Sequence, residues 1–245
     1  MRPEEIERMY RLEDTYWWFI ARRALVRALL ARGGVPEGGL VLDAGCGTGG
    51  TFAALGDRWR AMGVDVSPAA VGLARQRGME LAAVGNVEAL PLVDSAFDAV
   101  VNCDVVEHLE RDVQGMAEML RVTKPGGLLV LTAPALPFLW SDHDEALCHL
   151  RRYTRRELRD KLTQAGWRVE WLNYSVSLLL PAIAAVRIFR RARRGRGAPK
   201  VDLFEMPPLV NATLEMVCRA DNWLATRVAM PPGASLVALA RRPQA

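Results

Sequence analysis

Apolar positions along the chain fall into runs with two different periods. Residues 4–12 and 16–32 repeat their apolar positions at helical spacing, and the second run, "YWWFIARRALVRALLAR", meets Gly33-Gly34, a helix stop. Short apolar runs then alternate with helical ones. "LVLDAG" (40–45), "RAMGVDV" (60–66), "LAAVGN" (81–86), "AFDAVVNCD" (96–104) and "LLVLTAP" (128–134) read as strands. Between them, "GTFAALGDRW" predicts a helix, Ser67-Pro68 supplies an N-cap and a proline at the first helical position, and "DVQGMAEMLRVTKPGG" (112–127) predicts a helix ending in Pro-Gly-Gly. Strands alternating with helices at this spacing imply right-handed crossovers and a parallel sheet covered on both faces.

Beyond residue 150 the pattern changes. Thr154 and Glu157 form a capping box for "TRRELRDKLTQAG", closed by Gly166. "WRVEWLNY" (167–174) is a sixth strand, and "SLVALARR" (235–242) is the last. Between them lies an insertion. Its apolar segment "VSLLLPAIAAVRIF" (176–189) is broken by Pro181 and falls short of the ~20 residues that a membrane span needs. Residues 187–200 follow with six arginines, one lysine and no acid, and a helix over 208–227 completes the insertion. The expected units are an N-terminal helical lid (1–34), a core (35–174 plus 235–245) and a helical insertion (175–234).

Composition adds bounds. At 51% hydrophobic and 24% charged, the chain has a globular composition, and a net charge of +4 is too small to argue for nucleic acid. Cys46, Cys103, Cys148 and Cys218 lie far apart, with no C-x-x-C pair, which argues against a zinc cage or a disulfide framework. "MRPEEIERMYRLED" lacks the apolar core of a signal peptide, so a cytoplasmic location is the default expectation.

The chemistry centres on "VLDAGCGTGG" (41–50). Gly45, Gly47 and Gly50 fit the G-x-G-x-x-G loop that holds dinucleotide pyrophosphate, and Asp65 stands 20 residues beyond Gly45, where a ribose hydroxyl acceptor belongs. Both features suit NAD or any adenosine cofactor. Three neighbours favour the latter. Asp43 is a carboxylate where a pyrophosphate would crowd it, and it suits a cation better. Polar residues recur at the ends of strands three and four, and the chain closes on an antiparallel-looking pair that a dinucleotide fold does not require.

"VLDAGCGTGG", "GVDVSP", "GNVEALPLVDSAFDAVVNCDVVEHL" and "LRVTKPGGLLVLTAP", taken in order, resemble the class I S-adenosylmethionine-dependent methyltransferases, in particular the small-molecule branch that includes the ubiquinone-biosynthesis O-methyltransferases. The resemblance covers residues 35–174 and the final strand. It implies an α/β, Rossmann-like, doubly wound sheet of seven strands with the last antiparallel, preceded by N-terminal helices and carrying the helical insertion between strands six and seven. It further implies that Asp43, Gly45, Cys46 and Gly47 surround the methionine part of S-adenosylmethionine. Asp65 would take the ribose, Val66 would pack on adenine, and Asn86 and Val87 would meet its edge, although relatives often carry Asp at the position of Asn86. Cys103 lines the path to the sulfonium, and Arg22 or Arg23 would clamp the cofactor carboxylate, unless "ARR" is a solvated helix face.

An acceptor hydroxyl would be helped by a general base, and His108, His143 and His149 are the candidates. Asp142 and Asp144 flank His143 and would orient it; a divalent ion on the same cluster is the alternative, and no metal is expected there. Tyr16, Trp17, Trp140, Arg152 and Tyr153 are the candidate acceptor contacts, with core packing or helix flanking as the other reading of the aromatic and "RRY" residues. The insertion suits either an acceptor-pocket cap or a peripheral contact with anionic membrane, which makes a lipid-linked acceptor as plausible as a free small molecule. The competing functions are an NAD-dependent oxidoreductase and a non-catalytic, membrane-associated cofactor-binding protein.

Overall fold

The computed structural model describes residues 3–55, 58–192 and 206–244. Two helices open the chain, α1 (Pro3–Leu12) and α2 (Trp17–Arg32). Trp17, Ala21, Leu25 and Leu29 recur every fourth residue on α2, so one stripe of it is buried. The Gly33 amide closes on the Leu29 carbonyl at 2.8 Å, and Gly34 turns the chain away at φ 75°.

Next come β1 (Leu40–Ala44), α3 (Phe52–Leu55), β2 (Arg60–Asp65), α4 (Pro68–Gln76), β3 (Ala82–Val84) and β4 (Phe97–Cys103). Helix α3 is shorter than the expected run from 50 to 59, and Trp59 lies in the turn entering β2. Ser67 caps α4, its hydroxyl accepting from the Ala70 amide at 3.3 Å with Pro68 in the first turn, as expected. Helix α5 (Asp112–Val122) ends five residues before the predicted Gly127, and β5 (Thr123–Pro134) starts at once. Pro125 explains the early stop. It has no amide to continue a helix, and it disfavours helical backbone at Lys124. The register against β4 then jumps from Phe97–Thr123 to Ala99–Leu128, so the Pro-Gly-Gly segment is a bulge within the strand.

The remaining elements are α6 (Asp142–Ala146), α7 (Arg155–Gln164), β6 (Arg168–Ser175), α8 (Leu180–Ala192), α9 (Pro208–Ala225) and β7 (Ser235–Arg241). Pro181 does not break the insertion. It sits in the first turn of α8, where its missing amide costs no helical bond. Most of the basic run lies outside the described residues, at 193–200. No helix among the described residues is long and apolar enough to cross a membrane.

The sheet order is β3-β2-β1-β4-β5-β7-β6, parallel except that β7 runs antiparallel to both neighbours. Alternation divides its side chains between two cores. Leu42, Leu129, Leu131, Leu236 and Ala238 join one with Met116, Met119, Leu158 and Leu162. Val41, Leu128, Val130, Val237 and Leu239 join the other with Leu25, Val26 and Leu29. Both faces are therefore covered, and only the carboxyl ends of the parallel strands remain to build a site.

The insertion packs on the N-terminal helices. Asn211 of α9 accepts the Trp17 amide at 3.0 Å, and Asn222 donates to the Ala21 carbonyl at 3.0 Å. Asp221 takes the amides of Val176, Ser177 and Leu178, which fixes the chain as it leaves β6.

Candidate active site

The glycine loop folds back on β2. The amides of Gly45 and Cys46 both donate to the Val64 carbonyl, at 2.7 and 3.1 Å. Gly45 has φ 87°, and a Cβ there would stand 2.4 Å from Val105 Cγ2, so side chain and conformation both exclude any other residue. Asp65, at the tip of β2, accepts from the Gly47 amide at 2.9 Å and the Ser67 amide at 2.8 Å. One carboxylate thus ties the loop to the start of α4.

Over these strand ends opens a cavity of about 910 Å³, at the upper end of the range for small-molecule sites. Gly45, Cys46, Gly47, Asp65, Val66, Asn86, Val87 and Cys103 border it. Val66 is 72% exposed there, a flat apolar surface with no protein neighbour to cover it. The Asn86 side chain accepts from the Glu88 amide at 2.9 Å, which holds its own turn. Asp43 is not on the cavity wall. It is buried beneath the loop with Oδ2 unpartnered, and burial, together with Glu13 and Asp65, pushes its pKa up to about 8. The alternation of β1 explains this placement, since Asp43 points with Val41 into the sheet face rather than along the strand axis.

Arg22 and Arg23 reach the cavity from α2. Arg22 is buried, pairs with Asp104 at 3.3 Å, donates to Ser235 Oγ at 3.2 Å and stacks on Trp18 at 4.6 Å. Arg23 donates to the Glu13 carbonyl at 2.5 Å. Glu13 also accepts the Thr48 hydroxyl and pairs with Arg77 at 3.4 Å, while Arg77 donates to the Thr48 carbonyl at 3.1 Å. The segment joining α1 to α2 is therefore clasped to the glycine loop.

Apolar and aromatic residues border the same cavity. Tyr16, Trp17, Trp18 and Phe19 border it, with Leu179, Ala182, Ile183 and Val186 of the insertion facing them. His108, His143, His149 and Arg152 also border it. Trp140 does not border the cavity. Nor does Tyr153, which is fully buried and donates its hydroxyl to Asp112 at 2.8 Å, a core role rather than an acceptor contact.

The histidines are arranged differently from the sequence expectation. Asp144 is buried and serves His149: its Oδ1 lies 3.0 Å from His149 Nδ1 and 2.8 Å from Arg152 Nε. His108 Nδ1 lies 3.3 Å from the Cys148 carbonyl, and burial and the adjacent His149 depress its pKa to about 4. Among the described residues, three such atoms converge at Glu107, His108 and His149, all within 4.8 Å, and not at the loop cluster considered from sequence.

Glu107 and Asp104 were missed. Glu107 is fully buried, borders the cavity, and has both carboxylate oxygens unpartnered. The available signal was an acid set in an apolar run, "DVVEHL", at the end of the fourth strand.

Residues 42–131 match the family model described as a methyltransferase domain. A probable S-adenosylmethionine-dependent methyltransferase of Mycolicibacterium smegmatis is 35% identical over 163 residues, 65% of this chain and 62% of that protein. A demethylmenaquinone methyltransferase of Beutenbergia cavernae is 40% identical over 135 residues, 51% of each chain. The chain thus spans between half and two thirds of the length of these relatives. Among solved structures, phosphoethanolamine N-methyltransferase 2 of Haemonchus contortus, in complex with S-adenosyl-L-methionine, has the same fold at a TM-score of 0.59 and 18% identity, over 89% of this chain and 52% of that one. Residues 42–131, the stretch built on the glycine loop, thus match a methyltransferase domain, and the chain is similar there to S-adenosylmethionine-dependent methyltransferases.

Proposed function

We propose that the protein transfers the methyl group of S-adenosylmethionine to an oxygen of a small-molecule or lipid-linked acceptor. The observation that carries this reading is one cavity bordered both by the glycine loop with Asp65 and by the aromatic residues at the start of α2 with the apolar residues of α8. Bound S-adenosylmethionine supplies a methyl already activated on sulfonium sulfur. What remains for the protein is to align a nucleophile and exclude water, which contributes on the order of 7–11 kcal/mol.

In this reading Asp65 holds the ribose, and Val66, Asn86 and Val87 hold the adenine. Gly45, Cys46, Gly47 and Cys103 enclose the methionine part, and Arg22 or Arg23 meets its carboxylate. Asp43 acts from beneath the loop. Tyr16 and Trp17 cover the acceptor, Arg152 stands beside it, and His108, His143 and His149 are the histidines within reach of its leaving proton. The N-terminal helices form the lid, and α8 with α9 forms the cap.

A peripheral contact with anionic membrane is a second reading, favoured by outward-facing Ile188, Leu209, Met216 and Trp223, which are all more than half exposed. It makes a lipid-linked acceptor natural, each basic residue near the surface adding about 1 kcal/mol. Equal partitioning onto anionic and neutral liposomes would remove it.

The activity test uses S-adenosylmethionine labelled in the methyl group, incubated with the protein and separate aqueous and lipid extracts. Label appearing in a base-resistant, ether-like product supports oxygen methylation. Tight cofactor binding with no transfer to any fraction would favour the non-catalytic reading.

A further inference from the structure

We propose that Arg152, together with Arg187, recognises an oxyanion on the methyl acceptor, so that the acceptor is an anionic amphiphile, a carboxylate or phosphate on an apolar body. The proposal deepens the methyl-transfer reading and rests on it.

A buried charge needs a partner, and a guanidinium carries five N–H donors in a fixed fork. Arg152 is buried and borders the cavity. Its Nε donates to Asp144 Oδ1 at 2.8 Å and its Nη1 to the Ala135 carbonyl at 2.9 Å. The Nη2 group makes no hydrogen bond to the described residues, and it is not sealed off as the Glu107 oxygens are. It is thus open to the cavity that Arg152 borders. The two bonds that Arg152 does make, to α6 and to the residue after β5, hold the fork still. Its free edge is presented in one orientation, which suits the planar oxygens of a carboxylate or two oxygens of a phosphate.

The charge on Arg152 is only partly cancelled. Burial alone would favour the neutral form of Asp144, but the His149 ring, Arg152 and Arg187 outweigh it and hold the carboxyl ionised, well below the usual carboxylate range. That single carboxylate also meets Arg187 of α8, whose Nη1 lies 3.7 Å from Asp144 Oδ2. Two guanidiniums from different elements, both bordering the cavity, therefore share it. Other acids on the cavity wall are already matched. Asp104 pairs with Arg22 at 3.3 Å, Glu13 with Arg77 at 3.4 Å and Glu88 with Arg111 at 3.2 Å. Burial, and after it Asp104, raises the proton affinity of Glu107, which holds a proton and adds no opposing charge.

The body behind the anion is apolar. Ile183 and Val186, one turn and one residue before Arg187 on α8, border the cavity with it. A hydroxyl elsewhere on the same molecule receives the methyl group.

The test uses 4-hexylbenzoate, 4-hexylbenzamide and 4-hexylphenol, of which only the first is an anion at neutral pH, with the protein saturated in S-adenosylhomocysteine. Titration calorimetry should show the benzoate binding about tenfold more tightly than either neutral probe, the worth of one hydrogen bond to a charged group. Arg152→Gln should bring the three within about threefold of one another while S-adenosylhomocysteine still binds normally, which also shows that the variant is folded. Arg187→Gln, at a partly exposed position, should reduce the preference as well, and it carries the test if Arg152→Gln does not fold. A merely structural arginine would weaken all three probes alike. Equal binding of the three to the unaltered protein, binding of none, or an undiminished preference in both variants would overturn the proposal. Displacement of bound 4-hexylbenzoate by hexyl phosphate but not by dihexanoylphosphatidic acid would assign the anion to a free small molecule, and displacement by both to a lipid headgroup; either result upholds it. Failure of S-adenosylhomocysteine itself to bind the unaltered protein would instead strike the methyl-transfer reading.

Discussion

Asp65 does two jobs at one atom pair. Its oxygens already hold the Gly47 and Ser67 amides, and in the proposed function they also receive the cofactor ribose. Asp65→Ala should weaken S-adenosylhomocysteine binding by roughly a hundredfold or more, because hydrogen bonds to a charged group are worth about 1.5–3 kcal/mol each. Calorimetry giving near-normal affinity would remove the ribose from this position. Asp43 makes a different prediction. Its pKa rises on folding, to about 8, so the folded state holds its proton more tightly than the unfolded chain does. Its stabilising share is complete below the ordinary carboxylate range and is lost as pH climbs toward 8. Asp43→Asn should therefore flatten the fall in melting temperature between about pH 5 and pH 8, relative to the unaltered protein in the absence of cofactor. Identical pH profiles for the two proteins would show that the carboxyl is solvated.

At the scale of elements, periodicity and caps located most of the fold. The Ser67-Pro68 start and the Gly33-Gly34 stop are local chemistry, and local chemistry is legible in a sequence. The end of α5 falls before Pro-Gly-Gly because Pro125 acts upstream of itself, disfavouring helical backbone at Lys124. The insertion was harder. Pro181 reads as a breaker until the helix start is known, and only the packed structure shows that Leu179, Ala182, Ile183 and Val186 face the aromatic residues of α2 across the cavity. In the candidate site, the glycine loop and Asp65 were legible because their spacing is short and fixed. The pairing of Asp144 with His149 was not, since it depends on how α6 turns, and neither was Glu107, whose isolation is a property of packing. If α8 caps the acceptor chamber, Ile183→Trp should fill that half, abolishing binding of 4-hexylphenol while S-adenosylhomocysteine affinity changes less than about twofold. Undiminished probe binding would move the acceptor elsewhere.

Across the whole molecule, the sheet puts its strand ends under two layers that come from opposite ends of the chain. The N-terminal helices are clasped to the glycine loop through Glu13, Thr48 and Arg77, and the insertion is bound to α2 through Asn211 and Asn222. Glu5, Ile6, Met9 and Glu13 of the N-terminal segment border the cavity. Arg77→Ala removes the pair with Glu13 and the contacts to Asp14 and Thr48. It should raise the dissociation rate of S-adenosylhomocysteine by roughly tenfold or more in stopped-flow fluorescence, with a smaller change in association rate. An unchanged dissociation rate would mean that the clasp does not gate the site. The fold alone does not decide the reaction, because one architecture carries many chemistries. The cofactor does. The most direct measurement is calorimetry of the purified chain against S-adenosylhomocysteine and, separately, against NAD. One S-adenosylhomocysteine per chain and no detectable heat with NAD are expected, and saturable NAD binding, or indifference to S-adenosylhomocysteine, would contradict the methyl-transfer reading.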